Sequence, residues 1–440
     1  MGSDSRERYL SAERQWSKLF SDEYNIMPDY WPCMEVLPIK KHFRTWSVVV
    51  LALLAIIGLY LFFTDDPAAD MRIGSISRDE KEREKPLPQE PAELLIVATG
   101  DIMVHKTQFP SALNPATGDF EFAKWFAPVE KYLREGDVTI GNLETTLAGE
   151  ELAYTGYPAF NTPESLAADL KKAGFSIMST ANNHCMDRLE AGVQRTAMHL
   201  EKAGLAFTGT ARSAGERDNF PIMEKNGIRA AFLAYTYGTN GIPIPGGKKY
   251  LVNMIDEDLI RKDIGSARKK GAEIVVVSMH WGQEYSREPN EEQQQLAGKI
   301  ISWGGDLILG SHPHVLQRVE FISTGDEESR REGVVVYSLG NFIADQIMKH
   351  TDSGMILRIH YRRDEEGRIS VAKINCVPTW IHIYSQGGPR QFRVVSVDDA
   401  LADYRRGSDP LLRDYHAQRL EEVREETLGL IRLNPYRASR

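Results

Sequence analysis

The chain has 440 residues, 42% of them hydrophobic and 26% charged, and a net charge of −9 at pH 7. That length holds one large or two ordinary domains, and the composition is that of a globular protein. The acidic balance argues against a general nucleic-acid binder, which would carry a basic surface, and there is no internal repeat.

In chain order, residues 1–45 read as a polar arm with Trp16, Tyr24, Tyr30 and Trp31, weakly ordered rather than docked. The stretch from Trp46 to Phe63, WSVVVLALLAIIGLYLFF, has no charged residue. At ~1.5 Å per residue it gives ~27 Å of helix, enough to cross a hydrocarbon core. Lys40, Lys41 and Arg44 precede it, and Asp65, Asp66 and Asp70 follow it. The positive-inside rule then places the N-terminus in the cytosol and everything after Phe63 outside. Some forty polar residues come before this segment, so it reads as one uncleaved anchor rather than a signal peptide. The expectation is a single-pass cell-membrane protein whose main domain is extracytoplasmic. Residues 64–91, with RDEKEREKPLPQEP, read as a charged linker. Cys185 and Cys376 fall outside, at a spacing that signals no disulfide framework.

From Ala92 onward, short apolar runs alternate with helical periods. ELLIVATGD, VTIGNLETT, SIMSTANNH, AFTGT, EIVVVSMHWG and DLILGSHPH read as strands. EFAKWFAPVEKYLREG, PESLAADLKKAGF, LEAGVQRTAMHLEKAG, DEDLIRKDIGSARKKG and EEQQQLAGKIISWG read as helices. Hairpins are expected about Asn226-Gly227 and Glu366-Gly367. This order predicts an α/β layered domain over 92–396, with right-handed crossovers, and a helical tail over 397–440.

In such sheets ligands gather beyond the carboxyl ends of the strands. The first strand ends in Gly100, Asp101 and then His105; the second in Asn142 and Glu144; the third in Asn182, Asn183 and His184. Later strands end in His280, Trp281 and Glu284, and in His312 and His314. Five of the eleven histidines thus sit at strand ends. Each motif alone also has a plain structural reading: a turn for GD, an Asx cap for NNH, a buried imidazole for MHWG. Together, Asp, Glu, Asn and His donors suit two adjacent divalent ions with open positions rather than a closed thiolate site. Glu144 has the chemistry to bridge both ions, Asn183 to ligate through its carbonyl, and His184 to handle protons with Asp187 orienting its ring.

GDIMVH, GNLETTLAG, ANNHCMDRLEAG, TGTAR, SMHWGQEY, GSHPHVLQ and VVYSLGNFI together resemble the CapA/PgsA family of poly-γ-glutamate capsule biosynthesis proteins, from about Ile96 to Gln346. The resemblance implies a calcineurin-like metallophosphoesterase fold, a four-layer αββα sandwich with two divalent ions, Mn, Fe or Zn. It implies Asp101 and His105 on the first ion, Glu144 bridging, Asn183 and His280 on the second, His312 joining the second and His314 the first. His184 would be the general acid, supported by Asp187. Three positions depart from the phosphoesterase pattern: Asp101 and His105 are separated by three residues, Glu144 replaces an aspartate, and Ser311 is inserted between Gly310 and the His312-Pro313-His314 block. Asn142, Arg212, Trp281, Glu284 and Asn341 are the candidate substrate contacts.

The resemblance implies a role in making or exporting poly-γ-glutamate, with membrane-embedded synthase components and the polyanion itself as partners, and no nucleic acid. Two functions follow as expectations. One is a metal-dependent hydrolase or transferase; the other is a non-catalytic module that grips the polymer and partners the synthase.

Overall fold

A computed structural model of the protein describes residues 91–327, 330–346 and 348–432. The expected arm, the expected membrane span and all but the last residue of the expected linker lie outside the described residues. Among the described residues, no helix is long and apolar enough to cross a membrane.

The strands are β1 (Ala92–Ile102), β2 (Val138–Leu143), β3 (Ile177–Ser179), β4 (Ala206–Thr208), β5 (Ile222–Lys225), β6 (Ile228–Thr236), β7 (Ile274–His280) and β8 (Leu307–Ser311). They continue as β9 (Val319–Thr324), β10 (Arg331–Val336), β11 (Asn341–Ile343), β12 (Ser353–Arg363), β13 (Ile369–Tyr384), β14 (Gln391–Ser396) and β15 (Ile431–Arg432). The longer helices are α1 (Ser165–Ala173), α2 (Leu189–Lys202), α3 (Glu257–Lys269), α4 (Glu291–Trp303), α5 (Val397–Arg406) and α6 (Asp414–Gly429).

One sheet runs β14-β13-β12-β1-β2-β3-β4, with β11 beside β1; the other runs β15-β9-β10-β8-β7-β6-β5. The alternation along each strand decides how these sheets stack. Ile274 and Val276 of β7 join Ile96, Ala98 and Ile140 of the first sheet in one buried cluster, so these faces meet. Val275 and Val277 point the other way, onto Ile260 and Ile264 of α3 and Ile300 and Ile301 of α4. Val97 of β1 packs outward with Trp125, Leu166 and Leu170. The layers are therefore helix, sheet, sheet, helix, the αββα order expected. Phe232 is fully buried between the sheets, and truncating such a ring to alanine costs about 3–5 kcal/mol.

Local chemistry sets the helix ends. Asn290 and Gln293 form a reciprocal capping box at the start of α4, and Gly304 closes it in the left-handed region. The period over 121–136 predicts one helix. The structure instead has two short helices, Ala123–Phe126 and Glu130–Arg134, joined by a 3-10 turn containing Pro128, which has no N–H to continue an α-helical ladder. Both expected hairpins form, β5–β6 and β12–β13. The tail belongs to the fold: Leu412, Leu420 and Val423 pack with Trp380 and Val395, and β15 adds to β9. Cys185 and Cys376 are free thiols.

The strands β1 to β4 run parallel, as do β6, β7 and β8. Their carboxyl ends therefore open on the same margin of each sheet.

Candidate metal centre

Asp101 sits in the last turn of β1, where its N–H donates to Gly340 O at 3.0 Å and it registers against Asn142 of β2. Asn142 Nδ2 donates to Asp101 Oδ1 at 2.8 Å and lies 3.3 Å from Glu144 Oε2. Glu144 follows β2 and is held by its own N–H to Ile102 O at 3.0 Å. Two glycines let strands approach here. A β-carbon on Gly100 would stand 1.8 Å from Gly340 O, and one on Gly310 would stand 1.9 Å from Tyr337 O. These are the glycines that precede Asp101 and the Ser-His-Pro-His turn.

The second sheet supplies imidazoles. His280 ends β7; its Nε2 lies 2.9 Å from Asn183 Oδ1, and its Nδ1 lies 3.0 Å from Ser311 Oγ. His314 Nδ1 is 3.0 Å from Asp101 Oδ2 and its Nε2 is 3.7 Å from Glu144 Oε1. His280 Nε2 is also 3.7 Å from Glu144 Oε1. Donor atoms of Glu144, His280 and His312 lie within 4.8 Å of one another, and so do those of Asp101, Glu144 and His314. Glu144 is common to both groups, the place of a bridging ligand.

The residues fit divalent ions on two grounds. Carboxylate, amide and imidazole are the donors such ions take. Glu144 Oε1 and His312 Nδ1 are moreover buried with no hydrogen-bond partner, and an unsatisfied buried polar atom costs about 1–3 kcal/mol. Burial holds His280 far below the usual imidazole range, with His312 and His314 adding to the effect, and holds His312 down to about 3. Both rings are then neutral at pH 7, the form that binds a metal. Burial, then the neighbouring Asp101 and Glu284 carboxylates, pushes Glu144 well above the ordinary range.

Beside the donors stands a paired imidazole and carboxylate. His184 Nδ1 is 2.7 Å from Asp187 Oδ2, which also accepts the Phe160 N–H at 2.6 Å. Phe160 packs edge-on against the His184 ring, centroids 4.7 Å apart.

The remaining expected contacts divide. Glu284 is exposed and its carboxylate shares a third converging group with His312 and His314. Asn341 donates to Gln346 Oε1 and Thr351 O, both at 2.8 Å, which leaves it bracing the β11 turn. Trp281 is buried in the outer core, its indole N–H on Tyr337 O at 3.0 Å. Arg212 is clamped by Glu201 and Glu216. Those two glutamates line a cavity of about 230 Å³ at the β4 edge, and none of the donors lines it. His105 stands apart from the three converging groups. Its Nδ1 accepts the Asp345 N–H at 3.2 Å, and burial lowers it to about 4.

Three residues escape a reading of strand-end motifs. Asn240 accepts from Asn183 Nδ2 at 3.2 Å and lies 3.4 Å from His184 Nδ1. Ser311 touches His280, and Tyr237 stacks 6.1 Å from the same ring. Ser311 lies inside the GSHPH motif and was within reach of inspection; Asn240 and Tyr237 come from an irregular loop whose direction no periodicity marks.

A family model for the bacterial capsule synthesis protein PGA_cap matches residues 95–346. The capsule biosynthesis protein CapA of Bacillus anthracis is 27% identical over 343 residues, spanning 76% of this chain and 77% of that protein. The PGA biosynthesis protein CapA of Bacillus subtilis (strain 168) is 30% identical over 263 residues, spanning 57% of this chain and 64% of that protein, just under two thirds. Among solved structures, the calcineurin-like phosphoesterase YfkN from Bacillus subtilis is similar at 14% identity and a TM-score of 0.36, over 66% of this chain and 90% of that one. The family match covers more than half of the sequence and contains Asp101, Glu144, Asn183, His184, His280, His312 and His314 alike; the chain belongs to the bacterial capsule synthesis protein PGA_cap family.

Proposed function

We propose that this protein is a membrane-anchored component of poly-γ-glutamate capsule synthesis or export, and that its outer domain performs metal-dependent hydrolysis or group transfer. The convergence of Asp101, Glu144, Asn183, His280, His312 and His314 beside the His184–Asp187 pair carries this reading. Asp101 and His314 would hold one ion, Asn183, His280 and His312 the other, and Glu144 both. When bound, such ions supply Lewis acidity to a phosphoryl or carboxyl oxygen and make water more acidic. Two buried carboxylates do not neutralise two divalent cations, so the loaded site keeps a positive surplus that draws an anion. Asp187 holds the Nδ1–H of His184, which leaves Nε2 as the atom that gives a proton to a leaving group. Phe160 shields that ring from solvent on one side.

The names of the two CapA relatives support the capsule assignment. The partners under this reading are the polyanion and membrane-embedded synthase components. The uncharged run 46–63 and its flanking charges support a single-pass anchor with the domain outside. Resistance of the full chain to alkaline carbonate extraction checks the anchor; release into the supernatant rules it out.

The central test pairs metal counting with phosphodiester and γ-glutamyl amide hydrolysis by the full-length chain, with and without EDTA. Activity that needs a divalent ion and falls in His184→Ala is expected. Bound metal with salt-sensitive polymer binding but no turnover would favour the non-catalytic grip, a reading that the separation of His105 from the other donors supports. Absence of any divalent ion from the purified chain sinks both.

A further inference from the structure

The first ion, as the resemblance fills it, is one donor short. His105 spends Nδ1 on the Asp345 N–H at 3.2 Å, and its ring meets Phe160 edge-on with centroids 5.3 Å apart. It shares no converging group with Asp101, Glu144 or His314. Glu284 does lie with the centre: its carboxylate and the ring nitrogens of His312 and His314 fall within 4.8 Å of one another. Two donors on one ion at ~2.1 Å each are at most ~4.2 Å apart, so an inward movement of the Glu284 carboxylate brings it onto the ion that His314 would hold, while His312 faces the other.

The backbone is built to hold Glu284 there. The next residue, Tyr285, takes a left-handed φ of 65°, and its N–H donates to Pro313 O at 2.8 Å. That bond ties the Glu284 loop to the His-Pro-His turn. His312 and His314 are also left-handed, at φ 96° and 57°. Three residues with β-carbons in that region within two joined loops are costly, and such strain persists where function fixes it. His312 Nδ1, buried and without a hydrogen-bond partner, is a second and independent sign that a ligand belongs here.

We propose that Glu284 is a metal ligand. It closes the centre from the solvent side, beside His314, and fills the position on the first ion that the resemblance gave to His105. The proposal rests on the reading of the site as a metal centre. It accounts for the departure at His105: the ligand lost from the first strand is regained from the loop after β7.

The test counts Mn(II) on the purified full-length chain by equilibrium dialysis and atomic emission, for wild type, Glu284→Gln and His105→Asn. Wild type is expected to hold two ions. Glu284→Gln should lose one, or bind it at least tenfold more weakly, while His105→Asn keeps both. Melting in EDTA should be unchanged in Glu284→Gln, because the side chain is exposed, whereas Mn(II) should raise its melting temperature less than it raises that of wild type. Two ions at wild-type affinity in Glu284→Gln, or loss of an ion in His105→Asn, overturns the proposal alone. A wild type that binds no Mn(II), Fe(II) or Zn(II) overturns the metal-centre reading and this proposal with it.

Discussion

His184 Nδ1 and Asp187 Oδ2 face each other at 2.7 Å inside one buried turn, three residues apart, with both side chains almost wholly sealed from water. The carboxylate can fix the tautomer and orientation of the ring. Under the hydrolytic reading, His184→Ala should lower kcat about 10²–10⁴-fold with metal content unchanged. Asp187→Asn should cost about 10–100-fold in activity. Steady-state kinetics beside metal analysis checks both; a His184→Ala chain with full activity ends the proton-donor assignment.

Gly100 and Gly310 predict a structural effect. Each lies against a carbonyl oxygen, at 1.8 and 1.9 Å from where a β-carbon would be. Alanine at either position has to push the facing backbone aside, which costs about 1–3 kcal/mol in a packed core. Urea denaturation of Gly310→Ala should show that loss, and the displaced turn should also weaken metal binding through His312 and His314.

His382, remote from the donors, sets a pH dependence. It is fully buried in β13 between Trp380 and His416, and Arg393 donates to its Nδ1 at 3.0 Å. Burial, then Arg393 and His416, lowers it to about 3. The folded pKa lies below the unfolded value, so the folded chain refuses a proton that the unfolded chain accepts. Its contribution is intact above pH ~6.5 and is lost as the pH falls toward 3. The slope is about 1.4 kcal/mol per pH unit from this one group. Denaturation curves of His382→Gln at pH 7, 6 and 5 should show a shallower decline than wild type; equal declines refute the assignment.

Arg419 of α6 grips Asp352 with two bonds, at 2.8 and 2.9 Å, and Trp380 donates to the same carboxylate at 2.9 Å. Arg419→Ala leaves that carboxylate half-satisfied under the tail. A loss of about 1–3 kcal/mol is expected, with helix α6 gaining amide exchange before the sheets do.

The legible part of this protein is what local periodicity and strand-end position encode. Both hairpins carried X-Gly turns that dictate their register, and the apolar strand runs state their own burial. Asp101, Glu144, His280, His312 and His314 were visible because each ends a strand, and parallel strands deliver their ends to one margin. Strands β9 and β14 were not read, since VEFIST and QFRVVS are short and mix polar with apolar residues without strict alternation. The helix over 121–136 was overdrawn because its spacing is right and only Pro128 objects. Arg212 looked like an anion contact in sequence, but Glu201, eleven residues before it, and Glu216, four residues after it, already hold it. Glu284, read as a substrate contact, groups with His312 and His314 while His105, read as a metal donor, does not; a loop's direction decides this, and the sequence does not state it.

The division of the donors between the sheets has a further consequence. Asp101, Glu144 and Asn183 hang from one sheet, and His280, His312 and His314 from the other, so neither half of the sandwich offers a cation a full set of partners. Under the metal-centre reading, uptake would have to wait until both halves have closed, and a bound cation would then act as a rivet that resists their sliding. Under the same reading, the element carried would then depend on the metal supply of the compartment in which folding is completed.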